Sequence, residues 1–161
     1  MYTEKEFLAG LDMHQGILHK VTNLYMKDPA EREDLFQEIL LNAWKGVKTF
    51  KGESKFSTWL YRVALNTAIG YYRKKNRTVD LVTGGDEIES HTEDEDGEEN
   101  TQAMYQAIAE LSSIDKALVM LYLEDYSYIE IGEILGITAN NVAVKMNRIK
   151  LRLKDLAKKY M

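Results

Sequence analysis

Trp59, Arg62, Asn66 and Arg73 are spaced three, four and seven residues apart, with Tyr72 beside the last. On a helix these positions share one side. A ring on which a base can stack, an amide that can bond a base edge, and cations that can meet phosphate are the parts of a single-stranded nucleic-acid site. The stretch that holds them, KFSTWLYRVALNTAIGYYRKKNR from Lys55 to Arg77, contains no acid. A second set lies near the other end of the chain, where Asn140, Asn141, Lys145, Asn147 and Arg148 project from the early turns of a basic segment. Asn pairs bidentately with adenine and Arg with guanine in the major groove. Lys150, Arg152 and Lys154 follow, at positions suited to phosphate or solvent. A third set mixes acids with large apolar groups: Asp34, Gln37, Glu38, Leu41 and Trp44 share one side of a helix. Apolar groups rimmed by polar ones suit a protein partner. Each set has a plainer alternative, in which Trp59, the tyrosines and Trp44 are core and the charges a solvated edge.

Enzymatic chemistry finds little support. There are no cysteines, so disulfides, thiolate metal sites and cysteine nucleophiles are excluded. His14, His19 and His91 are scattered, and no glycine-rich phosphate loop or GxSxG occurs. Asp94, Asp96 and Glu98 alternate as in a calcium loop, but the EF-hand spacing fails and Gly97 stands where no glycine is needed. No metal site and no cofactor are expected.

The elements that must position these sets read as helices throughout. Asp28-Pro29 is a helix start, with Pro at the first helical position. Phe36, Leu40, Ala43 and Val47, with Leu35 and Ile39 beside them, form an apolar face up to Thr49. FKGES then breaks the pattern, and Leu60, Val63, Ala64, Thr67, Ala68 and Tyr71 line the next helix on its inner side. One N-terminal helix over roughly residues 3–26 completes the bundle. Further on, Ser127 and Glu130 form a capping box, and Leu135-Gly136-Ile137-Thr138 is a tight turn with Thr138 as the next N-cap. Val142, Met146, Ile149, Leu153 and Leu156 recur at four, three, four and three. That is a helix-turn-helix whose second helix is basic.

The net charge of −5 conceals a sharp partition. Residues 78–100 hold ten acids and no Lys or Arg, whereas residues 138–161 hold seven bases against Asp155 alone. Like-charge repulsion and few large apolar residues predict an extended tether. The fold class expected is all-α: two small helical domains, 1–77 and 101–161, joined by a flexible acidic linker, 78–100. The N-terminus lacks a signal-peptide pattern and no apolar run is long enough to span a membrane.

In order, these pieces resemble a bacterial RNA polymerase sigma factor. DPAEREDLFQEILLNAWKGVKTFKGESKFSTWLYRVALNTAIGYYRKKNR is similar to region two, and LSSIDKALVMLYLEDYSYIEIGEILGITANNVAVKMNRIKLRLKDL to region four. The short two-domain layout is similar to the extracytoplasmic-function (ECF) subfamily. The resemblance implies that Asp34, Gln37, Glu38, Leu41 and Trp44 bind core polymerase. It implies that the −10 promoter element is captured as an opened strand by Phe50, Lys51, Ser54, Lys55, Phe56 and Thr58, with Trp59, Arg62, Asn66, Tyr72 and Arg73 on the following helix. It places the duplex −35 element against Thr138, Asn140, Asn141, Val144, Lys145, Asn147 and Arg148. The chain departs from the family's usual residues at Asn140-Asn141, Ala143 and Val144, and apolar groups there suit thymine methyls. The family further implies a cytoplasmic, non-enzymatic protein without membrane insertion, whose partners are core RNA polymerase and promoter DNA. An anti-sigma factor is a family-level expectation. The competing functions are a stand-alone helix-turn-helix regulator and a helical interaction protein that binds no DNA.

Overall fold

The computed structural model describes residues 3–83 and 99–159. Every described element is helical: α1 (Glu4–Met13), α2 (Gln15–Tyr25), α3 (Pro29–Gly46), a 3-10 turn (Val47–Thr49), α4 (Phe56–Thr83), α5 (Glu99–Ala109), α6 (Ser113–Leu123), α7 (Tyr128–Leu135) and α8 (Ala139–Lys159). The chain divides into two compact units, Met1–Asn76 and Arg77–Met161.

Two helices replace the single N-terminal one expected. Thr3 caps α1, its hydroxyl accepting from the Glu6 N–H at 3.1 Å. The break falls at His14 (φ −120°, ψ 25°), whose N–H closes α1 on the carbonyls of Gly10 and Leu11. Gly16 stands just beyond the break and weakens the helix locally. The bend lets α1 and α2 bury different sets, Phe7 on one and Ile17, Leu18 and Val21 on the other.

Helix α3 starts at Asp28-Pro29 as the sequence predicts, though through backbone geometry and Pro rather than a side-chain cap on Asp28. Its buried row, Leu35, Ile39 and Ala43, continues into Val47 of the 3-10 turn. Phe36 and Leu40, expected to lead the inner face, are only half-buried, and Phe36 lies beside the His19 ring. An unbroken run of four-residue steps starting from Leu35 covers the core better than the mixed spacing does.

In α4 the buried positions are two adjacent rows, Leu60, Ala64 and Ala68 beside Tyr61, Leu65 and Ile69. Val63, Thr67 and Tyr71, expected inside, are half-buried. Thr67 ties α3 to α4, donating to the Val63 carbonyl (2.7 Å) and accepting from Asn42 Nδ2 (3.0 Å). The helix runs past Arg77 to Thr83, and α5 begins at Glu99, so both borrow residues assigned to the linker. Adding residues to a helix that is already formed costs little, because each further one gains a hydrogen bond for the dihedrals it fixes. Residues 84–98, with Asp94, Asp96 and Glu98, lie outside the described residues.

In the second unit α8 packs against α5, α6 and α7. Ser112 caps α6, its hydroxyl accepting the Asp115 N–H at 3.2 Å. The capping box at Ser127 is formed in both directions, with Ser127 N–H to Glu130 at 3.0 Å and Glu130 N–H to Ser127 at 3.2 Å. Gly136 ends α7 with φ 77°, a conformation that favours glycine. The Gly136 and Ile137 N–H groups then both bond the Gly132 carbonyl. Gly132 makes the turn tight enough, since a Cβ there would sit 2.5 Å from the Ile137 carbonyl oxygen. Gly132→Ala is therefore expected to cost about 1–3 kcal/mol, because a backbone atom must move to admit the methyl. A thermal melt should fall by roughly 5 °C or more. An unchanged melt would show that the turn relaxes freely.

Candidate functional site

Helix α3 turns one side to solvent. Asp34, Gln37 and Glu38 are exposed there, and Leu41 and Trp44 remain 46% and 40% exposed despite their size. The Trp44 ring leans on buried Phe7, with centroids 5.4 Å apart and planes at 51°. One side of the indole is anchored while the ring as a whole stays 40% exposed.

Beyond the 3-10 turn the chain forms an open loop. Gly52 takes φ 76°, and Lys51, Glu53, Ser54 and Lys55 are exposed. The two ends of the loop are closed by aromatic packing. Phe50 stacks on Trp59 (5.1 Å, 28°) and meets Phe56 edge-on (6.2 Å). Phe56 also touches Trp59 (5.5 Å) and His14 (5.8 Å). Two residues expected to meet the opened strand, Phe50 and Thr58, are each only 8% exposed. The Phe50 ring closes the base of the loop, and Thr58 lies on the inner side of the first turn of α4. Phe56 and Trp59 are half-buried, so neither is an open platform and neither is full core.

Arg62, Asn66 and Arg73 are exposed along one side of α4. Tyr72 is half-buried and sits edge-on to Tyr25 (5.7 Å), so it belongs more to the core than to that side. Burial, reinforced by Tyr72, pushes the Tyr25 phenol far above its usual range, so Tyr25 stays neutral at any physiological pH.

In α8, Asn140, Asn141, Asn147 and Arg148 are exposed, Val144 is 43% exposed, and Lys145 is half-buried. Val142, Met146 and Ile149 occupy the opposite side. Thr138, expected among the DNA contacts, has its hydroxyl engaged as the helix cap, accepting the Asn141 N–H at 3.1 Å. Lys150, expected to meet phosphate or solvent, is exposed and holds its ammonium 4.7 Å over the Tyr122 ring. Its hydrogen bond to Tyr122 is the main cause holding its pKa above the ordinary lysine range. Residues that the sequence did not single out also matter. Phe7 and Gly10 on α1, with His14 at its end, are spaced three and four and face the aromatic cluster, and that spacing was a readable signal.

Among the described residues no cluster of His, Asp or Glu could hold a metal, and no helix is long and apolar enough to cross a membrane.

The two units match separate families in chain order. The model for Sigma-70 region 2 matches residues 11–78, and that for Sigma-70 region 4 matches residues 101–153. The ECF RNA polymerase sigma-E factor of Haemophilus influenzae is 30% identical over 131 residues, covering 73% of this chain and 69% of that protein. The chain belongs to the ECF sigma factors. The ECF RNA polymerase sigma factor SigW of Bacillus subtilis is 29% identical over 164 residues, covering 91% of this chain and 88% of that protein. The fold is shared with the sigma factor RpoE of Bartonella quintana, solved in complex with the anti-sigma factor NepR, at a TM-score of 0.78 and 24% identity, covering 96% and 98% of the two chains. This sigma factor thus binds core RNA polymerase and directs it to promoters through their −10 and −35 elements. Sigma factors as a family are not enzymes.

Proposed function

We propose that the three surfaces divide the work of initiation. The exposed row of α3, Asp34, Gln37, Glu38, Leu41 and Trp44, docks on core polymerase. The loop residues Lys51, Ser54 and Lys55, with Arg62, Asn66 and Arg73 of α4, hold the opened −10 strand, and Trp59 and Phe56 offer it their uncovered edges. Asn140, Asn141, Val144, Lys145, Asn147 and Arg148 read the −35 duplex. The observation that carries this division is the two-sidedness of α4, which exposes two cations and an amide while burying Leu60, Ala64, Leu65 and Ala68 on its other side. The chain performs no chemistry itself; polymerase does. It works in the cytoplasm, and an anti-sigma factor, as seen on the Bartonella quintana protein, is its expected inhibitor.

Site-specific photocrosslinkers at Leu41, Arg62 and Val144 test the division. The expected products in an open complex join Leu41 to a polymerase subunit, Arg62 to the unpaired −10 strand and Val144 to the −35 duplex. Crosslinks from Leu41 to DNA, or from Arg62 to the −35 duplex, would contradict it. Arg148→Ala is expected to lower discrimination at one −35 position by about 1–3 kcal/mol, the worth of a bidentate pair with guanine. Competition binding on a set of −35 variants measures it, and an equal loss on every sequence would reassign Arg148 to phosphate.

A further inference from the structure

Helix α1 carries none of the residues of the three surfaces, yet it touches parts of two. Phe7, 3% exposed, sits between Trp44 of α3 (5.4 Å) and Phe56 at the start of α4 (6.4 Å). One turn on, Gly10 lies so close to Phe56 that a Cβ would meet its ring carbons at 2.7 and 2.8 Å. Phe56 in turn packs on Phe50 and Trp59, and the exposed loop Lys51–Lys55 is strung between Phe50 and Phe56. That loop buries no side chain of its own and carries Gly52 in a left-handed conformation. Its placement is therefore dictated by its two aromatic ends, and one of those ends rests against α1.

We propose that Phe7 and Gly10 are positioning residues for promoter opening: they seat Phe56, and through it the −10 loop, while Phe7 ties that seat to Trp44 on the docking row. The inference rests on the function proposed above for the loop. Its physical basis is that misplacing a binding group by about 1 Å can cost orders of magnitude in the step it serves. The aromatic contacts that set the position supply area and preferred geometry together.

The test uses holoenzyme on a complete promoter. In Gly10→Ala the new methyl displaces the Phe56 ring. Permanganate reactivity of the −10 thymines is expected to fall roughly ten-fold. Affinity for core polymerase should stay within about three-fold, because no residue of the docking row changes. A thermal melt of Gly10→Ala close to wild type, beside the loss of opening, separates misplacement of the Phe56 ring from a merely destabilised unit. Phe7→Leu keeps the position apolar and should lower opening by a similar factor, with core affinity falling less even though Trp44 leans on the Phe7 ring, and it serves as the readout if Gly10→Ala folds poorly. Wild-type permanganate reactivity in both variants, alongside a defect in Arg62→Ala/Asn66→Ala, would overturn the positioning role alone. Parallel loss of core affinity and opening in Gly10→Ala would also overturn it. If Lys51→Ala/Lys55→Ala and Arg62→Ala/Asn66→Ala open promoters normally as well, the function proposed for the loop fails and the inference fails with it.

Discussion

Leu41→Asp is expected to disable holoenzyme assembly while leaving the protein folded. Leu41 is 46% exposed, so the substitution removes little from the core and the melting temperature should hardly move. At an interface the effect is different. A leucine that would be buried against polymerase is lost, and a carboxylate must be desolvated beside Asp34 and Glu38 on the same side of the helix. Loss of a central apolar anchor costs about 2 kcal/mol or more, or roughly 30-fold in Kd, before the charge is counted. Titration of labelled protein with core polymerase reads this directly. A Kd unchanged in Leu41→Asp would place the docking surface elsewhere. Trp44 is the less clean probe, because its ring also leans on Phe7 and its removal disturbs the aromatic cluster.

Arg62→Ala together with Asn66→Ala should cut promoter opening about ten- to hundred-fold while sparing recognition of the −35 duplex. Both side chains are exposed on α4, one turn apart. Each contact to an opened strand is worth about 1–3 kcal/mol, and the energy needed to unstack bases is recovered only when they are made. The measurement is permanganate reactivity at −10 beside binding to a fragment carrying only the −35 element. Equal losses in both would indicate general electrostatic attraction rather than strand capture, and would be accompanied by a steep salt dependence. Trp59→Ala would mix two effects, since its ring stacks on Phe50 and removing it leaves a cavity beneath the loop.

Much of this architecture is legible in the sequence because local chemistry and long-range packing agree. The capping box at Ser127, the left-handed Gly136 and the apolar row Val142, Met146, Ile149 each point to the same helix-turn-helix, and each is formed. The exposed row of α3 is equally readable, because acids that flank Leu41 and Trp44 have no place in a core. Reading failed where several rings compete for one interior. Period alone cannot say whether Phe50, Phe56 or Trp59 is innermost; that is settled by how Phe56 packs against Phe7 of α1, 49 positions away. The same limit explains the rotated rows of α3 and α4, where adjacent apolar positions offer two nearly equivalent faces. It also explains Lys150, whose attraction to Tyr122 depends on a neighbouring helix.

The central claim is that this chain gives core polymerase its start sites. Run-off transcription on a genomic library, with core polymerase in the presence and absence of the protein, tests it most directly. The account predicts discrete transcripts that depend on the protein, whose starts share paired elements near −10 and −35 at fixed spacing. Core polymerase that binds the protein yet produces no protein-dependent start would contradict it.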